Sequence, residues 1–217
     1  MSPSPALGRP QRTVLEGRYV RLEPLGPEHA ADLWAASSDP DAPERYRYLF
    51  ETVPASLGDM EAWVHRVHTA EDPLVFAVVD RVTGRAGGRQ SLMRIVPEHG
   101  VIEIGGIYWG PGIARTRLAT EALYLFARHS FEELGYRRFE WKCNDANEPS
   151  KRAAERFGFT FEGVFRQHMI QKGENRDTAW FSMLDSEWPT RKAGFERWLD
   201  EANFDAEGRQ KTPLGVR

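Results

Sequence analysis

The amino-acid sequence predicts an α+β fold, in which a mixed, mainly antiparallel sheet carries helices on both faces. Three short apolar runs separated by turn residues are typical of an antiparallel meander; they are Leu74–Asp80, Gly88–Val96 and Val101–Trp109. A helix with an apolar stripe follows them, and then come a strand, a helix and two further strands. At 217 residues with 41% hydrophobic side chains, the chain is large enough for one domain with a substantial core.

The residues before the meander predict one strand and two helices. Tyr19–Leu25 alternates between apolar and polar side chains and is expected to be a strand. Glu28–Ser38 is a predicted helix, which the turn residues of Asp39–Pro43 end. A second helix is predicted at Leu57–Thr69. The segment between the helices is predicted to be a loop with three aromatic residues, Tyr46, Tyr48 and Phe50.

The residues after the central helix predict strands, helices and a tail. The predicted strands are Arg138–Asn144, Thr160–Lys172 and Arg176–Leu184, and the predicted helices are Pro149–Phe157 and Arg191–Ala202. Residues 1–12 are rich in proline and serine, so we expect them to be flexible. Residues 13–204 are expected to form a single domain, and residues 205–217 a polar tail.

Composition excludes several classes of protein. No apolar run approaches the roughly 20 residues of a membrane span, and the first residues lack the apolar segment of a signal peptide. A single cysteine excludes an internal disulfide framework and favours a reducing compartment, so a cytoplasmic location is expected. A net charge of −3 argues against a general nucleic-acid binder.

The central helix, which Gly135 is expected to end, begins with a basic loop. Unpaired amides and the positive end of the helix dipole make a helix start a site for phosphate, and two arginines strengthen it. An ordinary helix with a solvated basic first turn is the alternative. Kinase-like and dinucleotide-binding glycine patterns are excluded because their lysine and third glycine are missing. The residues of this entry are Ala114, Arg115, Thr116, Arg117, Leu118, Ala119 and Thr120.

The order of these motifs resembles the GNAT acetyltransferases, and within them the Rim-type branch that acetylates the N-termini of ribosomal proteins. The resemblance depends on the central strand, loop and helix and on Asn147–Ser150, which opens a helix that ends at Gly158. The segment 158–166, followed by Gly173 and Asp177, also resembles that branch. The resemblance covers about residues 19–188. The family's loop is usually written Q/R-x-x-G-x-G/A, and the three key positions here are Ala114, Arg117 and Ala119.

The resemblance implies an enzyme that moves an acetyl group from acetyl-CoA to a primary amine by direct attack in a ternary complex. The acceptor would be a protein N-terminus or a small amine. The sheet would be splayed at its fourth and fifth strands, with a bulge at Gly105–Gly106. The pyrophosphate would lie on the loop of residues 114–120, and the pantetheine would run beside Ile107 and Trp109 and contact Asn147.

Two residues are candidates for catalysis. Glu103 is the one acid in an apolar strand, and alternation predicts that it shares a face with Ile107 and Trp109. The resemblance implies that Glu103 removes a proton from the amine, directly or through water; an acid solvated at an edge or tied to an arginine is the alternative. The resemblance also implies that Ser150 protonates the departing thiolate, whereas a helix-start role alone is the alternative.

Other features carry alternative interpretations. Tyr46, Tyr48 and Phe50 either line the acceptor cleft or cap the edge of the sheet. Cys143 lies on an apolar strand face and is interpreted as structural, and no metal is expected at the histidine pair His65 and His68. A CoA-binding sensor without turnover and an aminoglycoside or amino-acid acetyltransferase are the competing functions. A homodimer is one assembly state that the sequence allows.

Overall fold

In the computed structural model, which describes residues 4–216, eight strands form one sheet. Their order across the sheet is β1-β2-β3-β4-β5-β6-β8-β7. All neighbours are antiparallel except β5 and β6, so the predicted mixed, mainly antiparallel sheet is confirmed. The strands are β1 (Leu15–Glu16), β2 (Val20–Pro24), β3 (Leu74–Asp80), β4 (Ala86–Val96), β5 (Val101–Trp109), β6 (Arg138–Asn144), β7 (Thr160–Gln171) and β8 (Glu174–Leu184).

Helices cover both faces of this sheet. They are α1 (Ala30–Ala36), α2 (Ala42–Tyr46), α3 (Leu57–Val67), α4 (Arg117–Arg128), α5 (Glu148–Arg156) and α6 (Trp188–Leu199). Alternate residues of β3 point to opposite sides, so Phe76 packs in a core with α4 and α6, whereas Ala77 packs with α1 and α3. We call these sides the α4 face and the α1 face.

The structure contains two short elements that the sequence did not predict, and it defines where the central helix starts. The two-residue strand β1 and the five-residue helix α2 were not expected, because elements this short carry no readable period. The central helix starts at Arg117, within the predicted entry of residues 114–120, because Thr116 caps it. The predicted end at Gly135 agrees with the structure, where that glycine has φ +68° after a π-helical turn.

The sheet opens between β5 and β6. Val101–Ile104 pair with Arg138–Trp141, and within the described residues the pairing of these strands stops there. These strands, β5 and β6, are the fourth and fifth strands of the sequence prediction, which did not include β1. The predicted splay is therefore present, and the gap that it leaves lies beside the remainder of β5, the end of β6 and the start of α5.

Both ends of the described chain contact the rest of the protein. Ala6 N–H donates to Pro97 O at 2.9 Å, and Leu7 N–H donates to Leu134 O at 2.8 Å. At the other end Val216 is buried beside Gly194. The division into a flexible start, one domain and a polar tail stays a prediction, but residues near both ends hold defined positions. No helix within residues 4–216 has the length and apolar character needed to cross a membrane.

Candidate active site

Free backbone amides gather where α4 begins. The Thr116 hydroxyl caps the helix by accepting from Leu118 N–H at 3.1 Å, and it donates to Ile113 O at 2.7 Å. Within the described residues, the N–H groups of Arg115, Arg117 and Ala119 have no hydrogen-bond acceptor. Because α4 is 12 residues long, these amides stand at the positive end of a full helix dipole. Such an arrangement is suited to an anion.

The two arginines expected beside these amides are in different environments. The Arg117 guanidinium lies over the ring of Tyr19, 4.3 Å from its centre, and 5.2 Å from that of Phe204. The arginine that replaces the family's glycine therefore stacks on aromatic rings. Arg115 is exposed and has φ +64°. Its guanidinium makes no hydrogen bond or ion pair with any residue in the range 4–216. Arg115 is thus the arginine with a guanidinium available to a ligand.

The second helical turn contains a buried carboxylate with a structural task. Glu121 is 4% exposed and accepts hydrogen bonds from three consecutive backbone amides at the start of β2. These are Arg18 N–H at 2.8 Å, Tyr19 N–H at 2.6 Å and Val20 N–H at 2.8 Å. Glu121 therefore ties the entry of β2 to α4, close to the residue on which Arg117 stacks.

A bulge in β5 turns two predicted site residues to the other face. The register with β4 shifts by one residue between Gly105 and Tyr108, and Gly106 within this bulge has φ +57°. The extra residue reverses the alternation, so Ile107 and Trp109 pack against the core of the α4 face instead of sharing a face with Glu103. The bulge itself was predicted, but its effect on the residues beyond it was not.

Trp109 is fixed by packing. Its indole N–H donates to Gln90 Oε1 at 3.2 Å, and its ring meets Phe157 edge-on with centres 6.1 Å apart. Trp109 therefore braces α5 against β5, and Ile107, which is also half-buried, remains as the predicted wall of the gap.

Ser150 lies in the first turn of α5, where Asn147 caps the helix. Asn147 Oδ1 accepts from the Ser150 backbone N–H at 3.2 Å, which leaves the serine hydroxyl for other contacts. That hydroxyl accepts from the Trp141 indole N–H at 3.0 Å. An indole N–H only donates, so the proton of the hydroxyl points to another acceptor.

Cys143 is near this hydroxyl. Burial raises the pKa of the Cys143 thiol, and a hydrogen bond from Ser150 acts in the opposite direction. The thiol is 6% exposed and packs in the core of the α4 face. Because a nucleophilic cysteine needs a lowered pKa, the structural interpretation of Cys143 fits these surroundings.

Glu103 lies on the α1 face within a cluster of charges. It is 4% exposed, and its carboxylate is 2.8 Å from Lys142 Nζ and 3.0 Å from Arg94 Nη1. Burial raises the pKa of Glu103, while Lys142 and Arg94 oppose that rise. Lys142 also lies 2.6 Å from Glu140 and 3.8 Å from the centre of the Trp180 ring. Glu103 is therefore paired with an arginine, as the alternative interpretation expected, and its catalytic role stays a prediction.

The three aromatic residues predicted for the loop lie at the end of α2 and directly after it, in different environments. Tyr46 is buried, with its ring centre 4.7 Å from that of Tyr108, so it packs. The Tyr48 hydroxyl donates to Ala146 O at 3.1 Å, directly before the cap residue of α5. Phe50 is 59% exposed. The loop thus approaches the α5 side of the gap and presents Phe50 to solvent.

The sequence did not predict which residues would surround Glu103 and Ser150. Glu140 and Lys142 alternate with Trp141 in β6, so they share one face of the strand. The pairing of β5 with β6 places these two charges beside Glu103, and the sequence alone does not give that pairing. Arg94 has φ +48°, which no local sequence signal indicates. His65 and His68 lie with ring centres 5.5 Å apart, and no metal-binding cluster of three or more ligands is found in the described part of the chain.

Comparisons with known proteins agree with this geometry. Residues 20–160 match a family model described as an acetyltransferase (GNAT) domain. A GCN5-related N-acetyltransferase from Brucella melitensis is 56% identical and has a TM-score of 0.95, covering 97% of this chain and 96% of that one. The uncharacterized N-acetyltransferase p20 of Bacillus licheniformis is 26% identical over 155 residues, 70% of this chain and 84% of the relative. RimL, a ribosomal L7/L12 α-N-protein acetyltransferase, shares the fold at 19% identity and a TM-score of 0.67, covering 79% of this chain and 94% of that one.

Proposed function

Since this chain belongs to the GNAT acetyltransferase family, we propose that it transfers an acetyl group from acetyl-CoA to a primary amine within a ternary complex. One observation carries the proposal: the free amides of Arg115, Arg117 and Ala119 stand at the start of α4, and a splayed pair of strands follows in the same sheet. A nucleotide pyrophosphate needs the first feature, and an extended thioester arm needs the second.

The donor would be held mainly by backbone groups. The pyrophosphate would accept from the three amides, with the Arg115 guanidinium beside it. Since amide donation does not depend on side chains, the replacement of the family's loop glycine by Arg117 leaves it intact. The pantetheine would pass along β5 beside Ile107 and near Asn147.

The reaction would need a proton taken from the amine and a proton given to the sulfur. The amine attacks the thioester carbonyl, the C–S bond breaks, and the electron pair leaves on sulfur. Ser150 would donate to that sulfur: Trp141 donates to its oxygen, and its proton would turn from the neighbouring Cys143 to the departing thiolate. Glu103 would receive the proton of the ammonium through water. Burial raises the pKa of Glu103 and so favours this transfer, whereas Lys142 and Arg94 lower that pKa and oppose it.

The acceptor would enter from the α1 face, where Tyr48 and Phe50 border the gap. A protein N-terminus and a small amine both remain candidate acceptors, and membership of the Rim-type branch, a cytoplasmic location and a homodimer stay predictions. The acceptor is the least constrained part of the proposal because it depends on this loop and on the β7–β8 hairpin.

The test is cleavage of the acetyl-CoA thioester, measured as thiol release, with a panel of primary amines and amino-terminal peptides. We expect thiol release that depends on an amine, together with an acetylated product of matching yield. Amine-independent release, or CoA binding by calorimetry without release for any amine, would contradict amine transfer.

A further inference from the structure

Arg176 is a buried guanidinium that has no ion-pair partner among residues 4–216. It lies in β8, where the next residue on the same face, Thr178, pairs with Asn144 of β6. The arginine is 7% exposed. Its Nε donates to Thr178 Oγ1 at 3.2 Å and its Nη1 to Gln171 Oε1 at 3.0 Å, so both recorded partners are neutral. Within residues 4–216, no carboxylate lies at ion-pair distance from it.

The neighbouring charges on the α1 face balance one another. Three basic side chains share three glutamates: Arg94 and Lys142 contact Glu103, Lys142 and Arg138 contact Glu140, and Arg138 contacts Glu162. These three cations and three anions leave the charge of Arg176 uncompensated. Burial lowers the pKa of Arg176, but an arginine remains protonated in proteins. The unbalanced positive charge is therefore a permanent feature of this face.

The position of Arg176 connects it to the loop that borders the gap. Gln171, which accepts from Arg176, also donates to Tyr48 O at 3.0 Å. The Phe50 ring lies 5.4 Å from the Arg176 guanidinium. Arg176 therefore contacts the loop where the acceptor would enter, through Gln171 and through the Phe50 ring. It lies on the same side of the sheet as Glu103.

A guanidinium removed from water with only neutral partners is costly, and a carboxylate fits its planar donors well. We infer that Arg176 binds a carboxylate of the acceptor, so the acceptors are amines that carry a carboxylate close to the amine. This inference rests on the proposed function and specifies its substrate class. A free amino acid and a peptide with an acidic residue beside its N-terminus are two sources of the same chemistry.

Matched acceptor pairs test this preference. One pair is L-alanine and L-alaninamide; the other is the C-terminally amidated peptides Ala-Asp-Gly and Ala-Asn-Gly. We expect the carboxylate member of at least one pair to have a kcat/KM about tenfold or more above its amide partner, the usual effect of a charge-assisted hydrogen bond. The acetylated forms of the four compounds, titrated by calorimetry into the protein saturated with CoA, give a readout that is independent of turnover.

Three variants assign the preference to Arg176. Arg176→Gln should bring the ratio within each pair towards one, while Arg166→Gln, which removes an exposed charge from the same hairpin, should leave the ratio unchanged. Arg176→Lys keeps the charge and should keep part of the preference, which covers the case that the glutamine variant does not fold. Equal rates and equal binding within both pairs, or a preference that survives Arg176→Gln, would overturn the inference. Acetylation of the amides in that case would leave the proposed function standing.

Discussion

The indole N–H of Trp141 donates a 3.0 Å hydrogen bond to the hydroxyl of Ser150, and this bond fixes what the serine can do. With one side of the oxygen occupied by a donor, the hydroxyl proton is directed away from Trp141. Asn147 caps the backbone N–H of the same serine. The helix start therefore does not depend on the hydroxyl, and removing it would leave the buried indole N–H of Trp141 without its acceptor.

We expect Ser150→Ala to fold normally and to lower kcat by roughly 10²-fold, the lower range for a positioned proton donor. The apparent KM for acetyl-CoA should change less than kcat, because the interaction is made chiefly in the transition state. Steady-state kinetics with far-UV circular dichroism as the folding check make the measurement. Unchanged turnover would reduce Ser150 to a helix-start residue. Trp141→Phe, which frees the serine oxygen but keeps the proton, should show a smaller loss.

Much of the fold could be predicted because its long elements carry strong periods. Val101–Trp109 and the helix that follows have unmistakable patterns, and the splay followed from the resemblance they support. The missed elements, Leu15–Glu16 and Ala42–Tyr46, are too short to show a period.

The candidate site was harder to predict because its geometry depends on register and on distant residues. One extra residue at the β5 bulge moves Ile107 and Trp109 to the other face, which alternation alone cannot indicate. Arg117 stacks on Phe204, which lies in a distant segment that no local signal connects to the loop. The counter-charges of Glu103 come from neighbouring strands, and pairing alone brings them together.

Arg115 and Arg117 are expected to separate ligand binding from stability. Arg115→Ala should weaken CoA binding several-fold, by about 1 kcal/mol for an exposed charge pair, with little change in the free energy of unfolding. Arg117→Ala should instead lower the free energy of unfolding by about 1–2 kcal/mol, because it removes the stacking on Tyr19 and Phe204. Calorimetric CoA titration and urea unfolding measure the two effects. The reverse assignment, with CoA binding lost only in the Arg117 variant, would contradict this division.

Glu121→Ala should be strongly destabilising. The substitution leaves three amides at the start of β2 without their acceptor, and each buried N–H of this kind costs about 1–3 kcal/mol. We therefore expect the free energy of unfolding to fall by at least about 2 kcal/mol in urea unfolding. Glu61→Ala, a change of the same kind at an exposed position of α3, is the control and should stay within about 0.5 kcal/mol of the parent. Equal stability of the two variants would exclude the structural task of Glu121.

Glu103 and Glu140 lie opposite each other in β5 and β6 and share Lys142, so they form a natural pair for testing the base. An alkylammonium has a pKa of about 10, and a base is needed to make it nucleophilic at neutral pH. Burial raises the pKa of Glu103 above that of an ordinary carboxyl group, with Lys142 and Arg94 limiting the rise. Because only the ionised carboxylate accepts a proton, kcat/KM should increase with pH until Glu103 is ionised.

Glu103→Gln keeps the shape of the side chain but removes its basicity. We expect turnover at pH 7 to fall about 10²–10⁴-fold and to recover partly at high pH, as free amine accumulates without needing a base. Glu140→Gln removes a carboxylate from the same lysine without touching the proposed base, so it reports what disturbance of the ion pairs alone does. Its loss should be much smaller, and its rise of kcat/KM with pH should move to lower pH, because the Glu140 charge contributes to the raised pKa of Glu103. If both variants lose the same activity and both keep the parent's profile of kcat/KM against pH, Glu103 acts by positioning Lys142 and Arg94, and the base must be sought elsewhere.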